Sequence, residues 1–107
     1  MTAKDIYALN DVIGVIGRFY TKDPLTGNKT LADPTTVKCY VETPGNSVEV
    51  AYVYLTAAEI TRLSIGIFLI ELSANKAGTW RFRWDGDGSV EASDEDYCIV
   101  QPSKVLG

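Results

Sequence analysis

The chain contains no histidine and only two cysteines among its 107 residues. Without histidine it lacks the usual general base, the usual zinc ligand and the usual partner of a serine or cysteine nucleophile. Phosphate-binding and dinucleotide-binding glycine loops are also missing, because the glycines at 86 and 88 follow a strand pattern and no helix opens after them. The sequence therefore predicts no catalytic residue, no metal site and no cofactor, and we expect a protein that is not an enzyme.

Long apolar runs and an excess of positive charge are missing as well. Ten basic residues stand against fourteen acidic ones, for a net charge of −4, which disfavours direct binding to nucleic-acid phosphates. The longest apolar runs, at 48–55 and 64–70, are far shorter than the roughly 20 residues that span a bilayer. The first residues lack the pattern of a secretory signal peptide. We expect a single domain over residues 1–107, made in a cytoplasm and without membrane contact.

The two cysteines are predicted to be free thiols. Cys39 alternates with Val37 and Val41, so its side chain should point inward. Cys98 lies between Tyr97 and Ile99, which we expect to be the inward residues of the last strand. Cys98 should then point outward, and the opposite orientations of the two side chains argue against a disulfide.

The clearest structural signal is the strict alternation of aromatic and polar residues at 79–84. Period-two alternation places Trp80, Phe82 and Trp84 on one face of a strand and the two intervening arginines on the other. Such a row of rings could be a stacking platform for sugars or single-stranded nucleic acid. A platform and its cations would have to share a face, however, so a place in the core is the favoured interpretation.

Short strand patterns separated by turn residues predict an all-β sandwich. They occur at 6–9, 12–21, 35–42, 48–54, 65–72, 79–85 and 95–101, with a loop at 22–34 that is a candidate contact site and carries a small hairpin at its tip. Gly14 and Gly17 should mark a bulge or a close approach within the second strand. At 56–63, Thr56 and Glu59 match a capping box, so a short helical turn competes there with strand or loop.

One predicted sheet face carries an aliphatic pair. If Phe68, Ile70 and Leu72 point inward, Ile67 and Leu69 point outward. Outward aliphatic residues on a sheet are typical of contact with a neighbouring subunit or a covering loop. Ile67 and Leu69 are our candidate partner-contact residues.

Acidic residues concentrate between 85 and 96. Asp85, Asp87, Ser89 and Asp96 fall at the first, third, fifth and twelfth positions of a calcium loop. Val90 stands where that loop requires glycine, and the preceding segment is a strand instead of a helix. Paired carboxylates can also act in catalysis without histidine. A solvated acidic turn is the simpler interpretation of the whole segment.

Six short phrases, spread over most of the chain, occur in a fixed order. They are Asn-Asp-Val-Ile at 10–13, Asp-Pro-Thr-Thr-Val at 33–37, Glu-Ile-Thr-Arg at 59–62 with Gly-Ile-Phe at 66–68, Ala-Gly-Thr-Trp-Arg-Phe-Arg-Trp at 77–84, and Gln-Pro-Ser at 101–103. In these the chain resembles small immunoglobulin-like structural proteins of tailed bacteriophages. It differs from antibody-type domains, since it lacks an inter-sheet disulfide in suitable phase and the usual placement of the central tryptophan.

The resemblance implies an immunoglobulin-like β-sandwich of about seven strands that serves as a non-enzymatic virion component. Such a protein decorates the head or helps to join head and tail, in repeated copies on a symmetric particle, after synthesis in the host cytoplasm. The implied partners are the major capsid protein or connector and portal-region proteins. The alternative is a carbohydrate-binding or adhesive immunoglobulin-like module, which would place aromatic rings on an exposed face.

Overall fold

Alternating burial along the strands divides the chain between two β-sheets. The computed structural model describes residues 6–45, 48–87, 91–92 and 96–102. The strands are β1 (Ile6–Ala8), β2 (Val12–Lys22), β3 (Lys29–Leu31), β4 (Val37–Glu42), β5 (Val50–Val53), β6 (Ile60–Ser64), β7 (Ile67–Ser73), β8 (Gly78–Gly86), β9 (Glu91–Ala92) and β10 (Asp96–Gln101). No helix occurs in these ranges, and none is therefore present there that could cross a membrane. The predicted all-β sandwich is confirmed.

The first sheet has the strand order β1–β10–β8–β4–β5, and the second has the order β3–β2–β7–β6 with β9 paired to β2. All pairs in the named sheets are antiparallel except β1 with β10, where Ile6 lies opposite Ile99 in a parallel register. The strands beyond the seven that the sequence predicts are short: β3, β6 and β9. The predicted hairpin within 22–34 is formed by the end of β2 and by β3.

The aromatic residues of β8 lie in the core. Trp80, Phe82 and Trp84 are buried, and the arginines between them face away, as the alternation predicted. Phe19 meets the Trp84 ring edge-to-face at 6.2 Å and the Phe68 ring at 5.7 Å, a geometry that aromatic quadrupoles favour. The contact between Phe19 and Trp84 joins the two sheets, because Trp84 belongs to the first sheet and both phenylalanines belong to the second.

The two glycines of β2 have different surroundings. A Cβ at Gly17 would lie 2.3 Å from Cδ2 of Trp84, whereas a Cβ at Gly14 would lie 3.5 Å from Cδ1 of Leu69. The close approach predicted from glycine within a strand is therefore present at Gly17, where the indole packs flat on the backbone. The strand continues through both glycines without leaving β7, since its register runs unbroken from Val12 to Arg18.

Residues 56–63 form a turn and an edge strand, so the helical alternative is wrong. Leu55 has φ of 80°, and the N–H groups of Thr56 and Ala57 both donate to the carbonyl of Val53, which closes a tight turn. The chain then enters β6, where Ile60 is buried opposite Ile70 of β7. The strand predicted to begin at 65 begins two residues later, because Gly66, with φ of 74°, turns the β6–β7 hairpin.

Both cysteines are buried and neither forms a disulfide, but the predicted outward orientation of Cys98 is wrong. Cys98 lies opposite Trp80, so it shares the inward face, while Tyr97 and Ile99 are 38% and 39% exposed. A disulfide is excluded by the distance between the two cysteines and not by the orientation of their side chains. Cys39 lies opposite Trp84 on the other side of β8, about 10 Å across the sheet and four residues along it from Cys98, beyond the roughly 7 Å that a bridge can span. Burial raises the pKa of the Cys39 thiol to about 12.

Candidate partner-contact surface

The predicted contact residues lie on the outer face of the second sheet. In β7, Phe68 and Ile70 are buried, while Ile67 and Leu69 face outward and are half-buried. Their predicted direction is confirmed. Their neighbours across β2 are Arg18, opposite Ile67, and Ile16, opposite Leu69. Ile67 and Leu69 are thus flanked by side chains of their own sheet. The outward surface to which they belong includes more residues than these two.

The more exposed members of this surface lie on β2. Val12 is 60% and Ile16 is 41% exposed, and both alternate with the buried Ile13 and Val15. The period-two pattern of β2 could have identified them, because an aliphatic residue occupies both phases of that strand. We call the outward set Val12, Ile16, Ile67 and Leu69 the aliphatic face.

Beyond Arg18 the surface continues onto the β2–β3 hairpin. Tyr20 lies opposite Leu31, and Lys22 lies opposite Lys29. The Lys29 ammonium stands 4.5 Å from the centroid of the Tyr20 ring, a cation–π contact. An open hollow of about 650 Å³ lies between this hairpin and the β6–β7 turn. Its lining includes two exposed aliphatic side chains, Leu31 and Ile65, so apolar surface extends from the aliphatic face to the hairpin.

Beside this hollow, an ion pair between Asp33 and Arg62 holds the loop that leads from the second sheet to the first. The carboxylate of Asp33 accepts hydrogen bonds from Nη2 of Arg62 at 2.9 Å and from the backbone N–H of Gly66 at 2.8 Å. These two donors, Arg62 first, hold the pKa of Asp33 below its ordinary value of 3.8. The contact ties the loop between β3 and β4 to the β6–β7 turn, which fixes the position of the hollow.

The outer face of the first sheet is built differently. Nη2 of Arg83 donates to a carboxylate oxygen of Glu49 at 3.0 Å, and the same guanidinium lies 4.2 Å from the centroid of the Tyr40 ring. These contacts satisfy the charge within the chain. Ile6, Tyr97 and Ile99 expose apolar surface at the β1–β10 edge of this sheet, and Val50 is exposed at its β5 edge.

No exposed ring platform exists in the described part of β8. The indole N–H of Trp80 donates to the carbonyl of Lys76 at 2.9 Å, and the indole of Trp84 is buried without a partner for Nε1. Of the calcium-loop positions, Ser89 and Val90 lie outside the described residues, as do Asp94 and Glu95. Asp85, Asp87 and Asp96 are described and form no metal-ligand group with other described residues. The interpretation of the acidic segment as a solvated turn stays a prediction.

Comparison of the chain with protein-family models, with curated proteins and with solved structures found no match.

Proposed function

We propose that this chain is a non-enzymatic structural protein of a tailed-bacteriophage virion, which docks on capsid or connector proteins as a head-decoration or head-to-tail joining component. The observation that carries the proposal is the aliphatic face. Outward aliphatic side chains on a small sandwich are suited to contact with a neighbouring protein. The sequence resemblance supplies the class of particle.

The strand order supports the immunoglobulin-like topology that the proposal includes. The neighbours β2, β7 and β6 correspond to strands B, E and D of that fold, and β4, β8 and β10 correspond to C, F and G. The additional β5 beside β4 corresponds to the strand that variable-type domains add to this sheet. A sandwich of this kind hosts many functions, so the order supports the fold and leaves the function to the surface.

Burial of the aromatic rings favours the virion protein over the carbohydrate-binding or adhesive alternative. A sugar platform requires ring faces that are open to solvent. Trp80 and Trp84 are 3% and 4% exposed, and their rings pack between the sheets. The largest aromatic surface of the chain therefore serves the core.

The test is co-sedimentation of the purified, tagged protein with tail-less heads, with complete particles and with connector assemblies of the phage that carries its gene. Stoichiometric binding to heads supports decoration, and about a dozen copies at one vertex support joining. Binding to none of these particles overturns the proposal.

A pair of variants ties that binding to the surface. Ile16→Lys places a charge in the middle of the aliphatic face, and Thr79→Lys places the same charge on the outer face of the first sheet. We expect Ile16→Lys to lower particle occupancy and Thr79→Lys to leave it unchanged, with both variants retaining the melting temperature of the wild type within a few degrees. Equal occupancy for the two variants would contradict the use of this face.

A further inference from the structure

The outward residues of the second sheet form a pattern that complements itself. Five cross-strand pairs follow one another along this face: Val12 with Ser73, Gly14 with Glu71, Ile16 with Leu69, Arg18 with Ile67, and Tyr20 with Leu31. Successive pairs are two residues apart, so each is about 6.8 Å from the next. In this order the pairs contain an apolar, an acidic, an apolar, a basic and an apolar group.

When the order of these five pairs is reversed about the central pair, the acidic pair and the basic pair exchange places, while an apolar pair stays at the centre. When a second copy faces the first with its strands antiparallel, Ile16 and Leu69 meet the same two residues of the partner. The pair that contains Arg18 then faces the pair that contains Glu71, and it does so twice because the arrangement has two-fold symmetry. At either end, Tyr20 of one copy faces Val12 of the other, an apolar contact, while Leu31 faces Ser73.

We propose that the aliphatic face binds a second copy of this chain in a two-fold, antiparallel sheet-to-sheet contact. The proposal rests on the proposed docking role of this face: the neighbouring protein that the face contacts on the particle is a second copy of this chain, so Ile16→Lys lowers particle occupancy through loss of this contact, and other surfaces of the sandwich contact the capsid or connector. Two sheets packed in this way lie about 10 Å apart with their strands within about 30° of each other, which keeps the central three pairs in register.

Gly14 provides the space for the partner's arginine. It is the outward residue between Val12 and Ile16, and a Cβ there would only reach ordinary contact distance, 3.5 Å, from Leu69. The missing side chain leaves a gap next to Glu71 on the neighbouring strand. The exposed carboxylate of Glu71 has no ion-pair partner among the described residues, so a guanidinium that enters this gap finds an uncompensated charge.

The size of the face predicts weak association in solution. Five pairs span about 27 Å along the strands and three strands about 10 to 15 Å across them. This footprint is below the roughly 800 Å² per partner that stable complexes bury. Contacts of this strength become persistent when many copies are held side by side on one particle, because each further contact is then intramolecular.

The outer face of the first sheet lacks such a pattern. Its central arginine, Arg83, pairs with Glu49 and lies over Tyr40 within the same chain. Reversal about the pair of Tyr40 with Arg83 would place Arg83 opposite the same arginine of the second copy, so like charges would meet. Self-complementarity therefore distinguishes the two outer faces.

The test is sedimentation velocity and equilibrium of the purified chain over a concentration range of roughly 1 μM to 1 mM. Wild type should shift reversibly from monomer to dimer. Arg18→Glu and Glu71→Arg should each weaken dimerisation at least tenfold, because each places like charges opposite one another, twice per dimer. The double variant Arg18→Glu/Glu71→Arg restores opposite charges and should recover most of the wild-type affinity. Lys76→Glu, the same charge change in the exposed turn between β7 and β8, is the matched control and should leave the affinity unchanged.

A wild type that stays monomeric throughout the range overturns the proposal. So does dimerisation that ignores both reversals, or a double variant that fails to recover although its thermal melt matches that of the wild type. This experiment uses the chain alone, so its failure is distinct from failure of the proposed function. A monomeric protein that still co-sediments with particles would retain the virion role and lose only the second-copy contact, whereas a dimer that binds no particle would lose the virion role.

Discussion

Adjacent residues of β7 show how differently the two faces of the second sheet are used. Phe68 is 1% exposed and meets Phe19 and Tyr54 edge-to-face, at 5.7 and 5.1 Å between ring centroids. Leu69, one residue later, faces outward with part of its surface open to solvent. The inner face is filled by neighbours from both sheets, whereas the described neighbours of the outer face are side chains of its own sheet. The first therefore determines stability, and the second is available for contact.

The largest expected change in the free energy of unfolding comes from the inner face of the second sheet. Phe68→Ala removes a ring from the contact between the sheets and should lower the free energy of unfolding by about 3 to 5 kcal/mol. Leu69→Ala removes a half-buried side chain from the outer face and should cost about 1 kcal/mol or less. Urea unfolding followed by tryptophan fluorescence measures both. Similar losses for the two variants would contradict the division between the faces.

The glycines of β2 extend the comparison to a second strand. Gly17→Ala inserts a methyl group against the Trp84 indole, where 2.3 Å separates the new Cβ from the ring, and should destabilise the fold by about 1 to 3 kcal/mol. Gly14→Ala meets only ordinary contact with Leu69, and should be neutral or slightly stabilising because alanine restricts the unfolded chain. Both variants can be measured by the same urea unfolding, in which a neutral Gly17→Ala would show that the indole moves at little cost.

The sequence predicted the core better than its margins. Strands β4 and β8 have unlike faces, so alternation alone placed Val37 and Trp80 inward. In β10 both phases are apolar, and Tyr97 and Ile99 outrank Cys98 in size. The orientation of β10 is set by its pairing with β8, where Cys98 lies opposite the inward-facing Trp80. A long-range register of this kind leaves no local signal.

Two other differences have similar causes. The capping-box match at Thr56 and Glu59 favoured a helical turn, but pairing of β6 with β7 buries Ile60 and gives the backbone sheet partners instead. Within the candidate surface, the outward direction of Ile67 and Leu69 was predicted on the condition that Phe68 and its neighbours in phase point inward. Leu31 lies in the loop at 22–34 that was predicted as a candidate contact site, but its approach to Ile65 was not predicted, since it joins two hairpins that are distant in sequence.

The Asp33 contact should have a smaller effect with a defined pH dependence. Its lowered pKa means that the stabilisation is fully present above the ordinary value of 3.8 and is lost as the pH falls through the lowered value. Asp33→Ala leaves the buried N–H of Gly66 without its acceptor and should cost about 1 kcal/mol at neutral pH. Asp33→Asn retains an acceptor, should cost less, and should remove this site's share of the acid sensitivity. Thermal melts at about pH 6 and pH 3 test this, and an unchanged pH dependence in Asp33→Asn would refute the assignment.

The smallest effect is expected on the outer face of the first sheet. The side chains of Arg83 and Glu49 are each 40% exposed, so water and salt screen their ion pair. Glu49→Gln should therefore change the free energy of unfolding by less than about 0.5 kcal/mol. The guanidinium keeps its contact with the Tyr40 ring in this variant, which limits the loss further. Glu49→Gln should not change self-association either, because the charge of Glu49 is compensated within one copy. Glu71→Arg, on the outer face of the second sheet, should leave the free energy of unfolding nearly constant and weaken the dimer. Unfolding and sedimentation measurements on Glu49→Gln and Glu71→Arg therefore distinguish a charge that pairs within the chain from one that pairs with a second copy. A weaker dimer in Glu49→Gln would place the contact on the first sheet.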